Sequence, residues 1–386
     1  MFESGESIYA PLLLSADEDA VDECSGLDAA IIPATVAMNP RMERFRQRAR
    51  DKSRTLIVDP RSAMFQFEGY MSMEDVRSLP YSPGLSTLGA LWTPEQFTRE
   101  FRAATARQVL QVQQHLGADV AIAPYFFVAT PDHAWLEVAV EFGREMRVLA
   151  GRLPVAVAVC VDIDAILPSL ARERFADAFS NVDADLFMLT VINFDELEAT
   201  PEEARAVLDL LNRLAQFAPV MPQYVGRFGL TAIAHGAIGY AGGALELESH
   251  PQRYLREGLI NLHSDAHYLD VAMMRLPVRL AAAVTEVVPE ADTVGRPPTW
   301  LVRRRRIRHA LNAKTSEARW LGALAPAERR GTLETRFAGA LSHCVAAADA
   351  LADATEELGR GRYHYLEVLR ELLGGPEAEL LGGAGF

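Results

Sequence analysis

Acidic side chains follow several short apolar runs of the sequence, at the points where each run ends. Asp59, Asp162 and Asp195 occupy such positions. Carboxylates gathered at one place raise one another's pKa and act as a general acid and base, or bind Mg²⁺ through oxygen. A carboxylate after a strand also caps the next helix, which is the structural alternative and the role expected for Asp164. The pattern predicts that at least one of the three candidates is catalytic.

Glycines and an arginine follow the last two apolar runs. Glycine-rich turns expose backbone N–H groups to a phosphate, and an arginine adds a bidentate contact to it. Glycines also permit tight turns and close packing without any ligand. The predicted substrate- or anion-binding residues are Tyr125, Gln223, Arg227, Gly239, Gly242 and Gly243.

Histidine, cysteine and lysine patterns limit the chemistry further. His235 is predicted to lie in the last strand and to act as a base or a hydrogen-bond donor, with a buried core histidine as the alternative. His263 and His267 are the nearest approach to zinc spacing, but no metal site is predicted from them. Lys52 and Lys314 are the two lysines of the chain, and neither is expected at a barrel mouth, so Schiff-base chemistry is not predicted.

The elements that must position these side chains are short apolar runs separated by amphipathic stretches. The runs are Tyr9–Leu14, Ala29–Pro33, Leu56–Val58, Val120–Ala123, Val155–Val161, Leu186–Ile192, Val220–Tyr224 and Thr231–Ala234. They are continuously apolar, as buried parallel strands are. Thr93-Pro94, Thr130-Pro131 and Thr200-Pro201 predict helix starts. Eight strand–helix units predict an α/β fold of the (β/α)8 TIM-barrel type, with a doubly wound open sheet as the alternative.

Two segments fall outside this repeat. We predict a barrel over residues 1–243 with an inserted loop at 60–92, rich in proline, glycine and aromatic residues, that closes over the site. A helical C-terminal domain is predicted over 244–373 and a flexible tail over 374–386.

The 386-residue chain is 49% hydrophobic and carries a net charge of −14. No apolar run is long enough for a membrane span, the first residues do not read as a signal peptide, and three cysteines far apart indicate a reducing compartment, so a cytoplasmic protein without membrane partners is expected. The basic run Arg303, Arg304, Arg305, Arg306 and Arg308 is a candidate nucleic-acid surface. The alternative is that these arginines pair with the acidic body or with another subunit.

The run from Asp59 through Phe65 to Gln66 resembles the tRNA-guanine transglycosylases. In that family an aspartate after a strand is followed by Ser-Gly-Gly-Phe-Gln and engages the exchanged base, whereas two further residues separate Asp59 from Phe65 here. The family's zinc motif is absent, and its nucleophilic aspartate has no counterpart around Ala237–Tyr240. The resemblance implies a diverged barrel without zinc.

Together these patterns predict a barrel enzyme, a transferase or hydrolase, acting on an anionic substrate that bears a phosphate or a nucleotide. Mg²⁺ is a possible cofactor, since the aspartates could bind it through oxygen. The alternative is a catalytically silent barrel that serves as a scaffold in a multi-protein assembly. A nucleic-acid-binding module using the arginine run is a third hypothesis, and the partners left open are a small anionic ligand, nucleic acid, a second copy of the chain or other subunits.

Overall fold

The computed structural model of the protein describes residues 7–13, 18–24, 26–83, 91–245, 248–252, 266–293, 303–351 and 363–374. Its centre is a ring of parallel strands. The strands are β1 (Ile8–Pro11), β2 (Ala29–Pro33), β3 (Thr55–Asp59), β4 (Ala121–Ile122), β5 (Phe127–Val128), β6 (Val155–Asp162), β7 (Leu186–Ile192), β8 (Val220–Gln223) and β9 (Gly239–Gly242).

Strand pairing closes this ring. One path of hydrogen-bonded neighbours runs β1, β9, β8, β7, β6 and β4, and β2 pairs with β3. The parallel bridges Leu12↔Ile31 and Ile57↔Val120 join β1 to β2 and β3 to β4. Because β4 and β5 both pair with β6, they are two pieces of one interrupted strand. The eight-stranded parallel barrel predicted from the sequence is confirmed.

Helices surround the barrel between successive strands. They are α1 (Glu18–Glu23), α2 (Ala34–Ala37), α3 (Met42–Asp51), α4 (Glu68–Met71), α5 (Glu74–Arg77), α6 (Arg99–Leu116), α7 (Ala134–Ala150), α8 (Ile163–Ile166), α9 (Ser169–Phe179), α10 (Pro201–Ala215) and α11 (Phe228–Ala234). Beyond β9 come the hairpin β10 (Ala266–Leu269) and β11 (Met274–Pro277), then α12 (Val278–Val287), α13 (Arg303–Gly322), α14 (Pro326–Ala350) and α15 (His364–Gly374). None of the described helices is long and apolar enough to cross a bilayer.

The helix starts differ partly from their prediction. Thr200 caps α10 with Glu203 in a capping box, as expected. Thr93 forms the same motif with Gln96, but on a short 3-10 turn, and Thr98 caps the longer helix α6. The start predicted at Thr130 is wrong, because α7 begins at Ala134, where the ring nitrogen of His133 accepts the Trp135 N–H.

The prediction of a strand over Thr231–Ala234 is also wrong. These residues form the end of α11, and the eighth barrel strand is β9. Every residue of α11 is buried, so its sequence is as continuously apolar as a buried strand. A run of this length does not separate the two structures by periodicity.

The barrel is completed by a helix that lies beyond the predicted domain boundary. Helix α13 packs against β1, α1 and α11, and a Cβ on its Gly322 would lie 2.4 Å from the Ser7 backbone nitrogen. It therefore occupies the place of the eighth barrel helix. The boundary predicted at residue 243 cuts the barrel, and the segment after it includes the hairpin β10–β11 as well as helices. The tail predicted over 374–386 lies outside the described residues except for Gly374.

The inserted loop predicted at 60–92 is partly built into the barrel rim. A 3-10 turn, Ser62–Gln66, and helices α4 and α5 lie within it. The Ser62 hydroxyl contacts the Tyr125 backbone N–H and C=O, both at 2.7 Å. The Gln66 amide bonds the Phe127 backbone at 2.7 and 3.1 Å. These side-chain hydrogen bonds hold the interrupted strand where a regular ladder of backbone hydrogen bonds is missing.

Candidate active site at the barrel mouth

Residue parity along the strands determines which side chains reach the mouth. On β6, Ala156 and Ala158 belong to the apolar cluster inside the barrel. Successive strand residues point to opposite faces, so Cys160 and Asp162 also face inward. The same count on the neighbouring strands directs Asp59 on β3, Thr190 on β7 and Gln223 on β8 inward. Gln223 and Asp59 are therefore at the mouth, where the sequence placed them.

Asp59 and Tyr125 form a hydrogen-bonded pair at this mouth. The Tyr125 hydroxyl donates to Asp59 Oδ1 at 2.9 Å, and the Arg61 backbone N–H donates to the same oxygen at 2.8 Å. Oδ2 accepts no hydrogen bond from the residues that the structure describes. Burial raises the pKa of Asp59, against the opposing charge of Arg61. The carboxyl group is thus suited to exchange a proton with a ligand.

Arg61 is the buried cation of the site. It is 7% exposed, and within the described part of the chain its guanidinium forms neither an ion pair nor a side-chain hydrogen bond. Its backbone is in the left-handed region, with φ 48°. A non-glycine residue in this conformation is strained by about 1–2 kcal/mol. The chain therefore holds a cation in a strained, buried position at the end of β3.

Tyrosine and histidine side chains surround this cation. Tyr224 follows β8 with φ 57° and packs edge-on against His250, with ring centroids 4.4 Å apart. Burial and the Arg61 charge lower the pKa of His250 to about 3, so the imidazole is neutral at physiological pH. Burial raises the pKa of Tyr70, on α4, and the nearby Arg61 charge opposes that rise.

Asn193 holds the segment that carries His250. Its φ is 63°, its N–H donates to the His250 carbonyl at 3.0 Å, and its Oδ1 accepts the Gln252 N–H at 2.8 Å. Left-handed residues thus follow three barrel strands at the mouth, namely Arg61, Asn193 and Tyr224. Such outliers persist where the surrounding structure over-determines them, and they are concentrated at functional sites.

The three aspartates do not share one metal site. Asp162 Oδ1 caps α8 by accepting the Asp164 N–H at 3.0 Å, and its Oδ2 accepts from Asn193 at 2.8 Å. The cap expected from Asp164 is therefore supplied by Asp162. Asp195 Oδ1 accepts the Leu197 N–H at 3.0 Å within its own loop. Among the described residues, the groups of three metal-ligand side chains within 4.8 Å include none of these aspartates.

The position predicted for a phosphate after β8 is occupied by Glu196. Its carboxylate accepts the backbone N–H groups of Gly226, Arg227 and Phe228 at 2.8–2.9 Å. Burial, followed by the charge of Glu248, raises the pKa of Glu196 to about 7. The N–H groups that were expected to bind a ligand's phosphate therefore bind a carboxylate of the protein.

Arg227 is also engaged. Its Nη1 lies 2.5 Å from Glu317 Oε2, and its guanidinium carbon lies 4.0 Å from the centre of the Tyr268 ring. Two of the three predicted glycines, Gly239 and Gly242, pack against backbone. A Cβ on Gly239 would lie 2.1 Å from the Ile8 oxygen, and one on Gly242 would lie 2.2 Å from the Val225 oxygen. Gly239 begins β9 and is at the far end from the mouth.

Lys314 differs from its expectation as well. It is fully buried, and its Nζ donates to the Gly243 oxygen at 2.7 Å, directly after β9, and to Glu248. Burial would raise the pKa of Glu248, but Lys314 and Arg275 outweigh it and hold that pKa at about 2. A lysine thus lies near the mouth, with its ammonium held by a carboxylate.

His235 lies at the opposite end of the barrel. It follows α11, which runs back from the mouth, and burial together with the nearby Arg330 lowers its pKa to about 4. The expectation that His235 reaches the mouth from a strand is therefore wrong. The alternative of a buried core histidine describes its position.

The arginine run lies at the start of α13 and is largely engaged within the chain. Arg304 pairs with Glu23 and with Asp19, the latter at 3.4 Å, and Arg308 pairs with Glu23 at 3.2 Å. Arg306 is buried. The intramolecular alternative accounts for these pairs, and nucleic-acid contact stays a prediction.

Sequence reasoning missed Arg61, Tyr224 and His250. Arg61 lies two residues after β3, and Tyr224 ends the predicted run Val220–Tyr224, but neither position was predicted as a site residue. His250 is separated from Tyr224 by α11 and β9, and no sequence pattern pairs the two. The three residues that carry the transglycosylase resemblance have different surroundings. Asp59 lies at the mouth, whereas the Phe65 ring packs against Trp92 with ring centroids 4.5 Å apart. The Gln66 side chain hydrogen-bonds to the Phe127 backbone.

No protein-family model and no curated protein matches the chain. Among solved structures, it is similar to a protein described as a fructose-1,6-biphosphate aldolase from Coccidioides immitis, with 10% identity over 83% of this chain and 89% of that chain and a TM-score of 0.36. Thiamine phosphate pyrophosphorylase from Pyrococcus furiosus shares 13% identity, over 66% and 94%, with a TM-score of 0.30. The carboxyl transferase domain of Rhizobium etli pyruvate carboxylase with 3-bromopyruvate shares 12%, over 96% and 61%, with a TM-score of 0.37. Because these TM-scores are low, the barrel assignment rests on the strand pairing.

Proposed function

We propose that the protein is an enzyme whose barrel mouth binds an anionic small molecule, bearing a phosphate or a carboxylate, through Arg61. The observation that carries this proposal is a buried guanidinium that forms no direct ion pair with a described carboxylate, with Asp59 as the nearby negative charge. Burying a charge without a partner is costly, and an anionic ligand would remove that cost. The fork of a guanidinium also matches both anions in geometry.

Asp59 is the proposed acid or base of the reaction. Its Oδ1 is fixed by Tyr125 and by the Arg61 N–H, which orients Oδ2 for proton exchange. Thr190 donates to the Gln223 side-chain oxygen at 2.9 Å, so the Gln223 amide group is left to donate to the ligand. The loop at 60–92 carries Tyr70 to this mouth and is the proposed cover of the site.

Ligand binding tests the proposal directly. Inorganic phosphate, pyrophosphate, a nucleoside monophosphate and a dicarboxylate are titrated into the protein by calorimetry. We expect at least one of these anions to bind. Arg61→Gln should lower the affinity for that anion at least about 10-fold, since it removes one charge-assisted contact. Arg152→Gln, an exposed arginine before β6 at the other end of the barrel, is the matched control. Equal affinity of Arg61→Gln and the wild type would refute the role of Arg61.

Asp59→Asn separates binding from chemistry. The substitution removes a negative charge beside the anion, so we expect binding to be retained or strengthened. Once a reaction is found, the same variant should lose turnover, because an amide cannot exchange the proton. A fully active Asp59→Asn enzyme would exclude the proposed acid–base role.

A transglycosylase-like reaction on nucleic acid is the finer form of this proposal. It is supported by the resemblance around Asp59 and by the location of that aspartate at the mouth. The anion at Arg61 would then be a backbone phosphate beside the base that Asp59 engages. Incubation of tRNA with labelled guanine tests it, with incorporation expected in the wild type and not in Asp59→Asn.

A silent scaffold is the second candidate. It is supported by Glu196, which occupies the usual phosphate position, and by the ion pairs of Arg227 and Lys314 beside it. The cavity lined by Glu196, Arg227 and Glu248 measures about 20 Å³, room for a single water. Failure of every anion to bind the wild-type protein would favour this alternative.

A further inference from the structure

Two histidines and an aspartate meet in the interior, outside the barrel mouth. His267 on β10, Asp292 after the turn at 289–291 and His309 on α13 belong to three different elements. Their ligand atoms all lie within 4.8 Å of one another. His267 Nε2 is 2.6 Å from Asp292 Oδ2, and His309 Nε2 is 3.3 Å from Asp292 Oδ1.

The two imidazole rings face the carboxylate in the same orientation. Their planes differ by 4°, and their centroids are 5.3 Å apart. Each Nε2 atom therefore addresses a different oxygen of one carboxylate. The Tyr268 carbonyl oxygen, 3.0 Å from His309 Nε2, adds an uncharged oxygen that can serve as a metal ligand. The side chains of His267 and Asp292 are fully buried.

We propose that His267, Asp292 and His309 form a binding site for a divalent transition metal, with Zn²⁺ as the ion that suits the donors best. Two imidazole nitrogens with one carboxylate oxygen is a ligand set that zinc accepts, and the Tyr268 carbonyl can complete four-coordination. The Asp292 carboxylate supplies a negative ligand in a largely buried cluster, where a divalent cation would balance its charge.

The site has a structural rather than a catalytic location. It joins the hairpin β10–β11, the turn at 289–291 and α13, so a bound ion would fasten the long segment inserted after β9 to the last helix of the barrel. Catalytic zinc keeps a position open to water, whereas the His267 and Asp292 side chains of this cluster have no exposed surface. The expected effect of the metal is therefore on stability.

Metal content and stability test this site in the intact chain. The protein is stripped with a chelator, dialysed, and titrated with Zn²⁺ or Co²⁺ at neutral pH. We expect one equivalent to remain after gel filtration, a rise in Tm of at least about 3 °C with Zn²⁺, and visible absorption bands of four-coordinate Co²⁺. A wild-type protein that retains no metal would overturn the proposal.

Variants locate the ion. We expect His309→Ala and Asp292→Asn each to weaken Zn²⁺ binding at least about 100-fold, since each removes one of few ligands. His115→Ala, an exposed histidine on α6, is the control and should keep full stoichiometry. Circular dichroism checks that each variant is folded. Unchanged zinc affinity in a folded Asp292→Asn protein would place the metal elsewhere and refute this site, even if His309→Ala failed to fold.

Discussion

Glu196 accepts the backbone N–H of Arg227 at 2.8 Å, so the protein supplies its own anion at the start of α11. In many (β/α)8 barrels the loops after the last two strands bind a phosphate of the ligand. Here that capacity is used within the chain. Among the described residues at the mouth, Arg61 at the end of β3 is a buried cation without a direct ion pair, so it is the residue proposed to bind a ligand's anion.

Glu196→Gln should flatten the dependence of the free energy of unfolding on pH, because the substitution removes the ionisation of a buried carboxyl group. The pH dependence is diagnostic. The pKa of Glu196 is raised from 4.5 to about 7 in the folded state, so the stability it contributes is present below pH 4.5 and is lost as the pH rises through 7. Urea unfolding between pH 5 and 8 should show this decline in the wild type and in the exposed control Glu137→Gln, and a flatter profile in Glu196→Gln. Identical profiles would contradict the assignment.

Arg61→Asn and Arg227→Asn should have opposite effects on stability. Asparagine tolerates the left-handed backbone at position 61 and removes an unpaired buried charge, so stability should be unchanged or up to about 1 kcal/mol higher. Arg227→Asn breaks a buried ion pair and should lower stability by about 3 kcal/mol. Denaturant unfolding of both variants measures the difference. A loss at position 61 as large as that at 227 would show that Arg61 has a structural role.

Gly239→Ala should lower stability by about 3 kcal/mol, because its Cβ would lie 2.1 Å from the Ile8 oxygen in the paired strand. Gly331→Ala is the control. Nothing lies within 4 Å of a Cβ there, and alanine in a helix should raise stability by up to about 1 kcal/mol. Thermal unfolding decides the matter, and a well-tolerated Gly239→Ala would mean that this glycine is not needed for packing.

The alternation of side chains along the strands explains which residues of the barrel mouth can be predicted from the sequence. The sequence predicts the strand ends near Asp59, Asp162 and Gln223 correctly. Buried parallel strands are short and continuously apolar, so their limits can be read from the sequence. Inward orientation then follows from counting two residues at a time. The same reasoning wrongly predicts a strand over Thr231–Ala234, because a short helix that is buried on all sides is as continuously apolar as a buried strand.

Long-range pairing explains what the sequence could not provide. His250 reaches Tyr224 because Asn193 holds its backbone, and His267 meets His309 through the packing of α13 against the hairpin. His263, the partner suggested by spacing, lies outside the described residues. Likewise, the Glu196 carboxylate that binds the N–H groups at the start of α11 comes from the loop after β7, one strand earlier in the chain. None of these contacts has a local pattern.

Glu23→Gln should strengthen the binding of tRNA. In the wild type Glu23 pairs with Arg304 and Arg308, so removing its charge frees Arg308 for phosphates and leaves Arg304 with its weaker pair to Asp19. We expect an affinity about 3- to 10-fold higher at low salt, and a slope of log K against log salt steeper by about one to two. Because the pairs are exposed, stability should change by less than about 1 kcal/mol. Fluorescence anisotropy measures the binding, and Glu137→Gln controls for the change in net charge. If both variants bind tRNA as the wild type does, the arginines of α13 do not form a nucleic-acid surface.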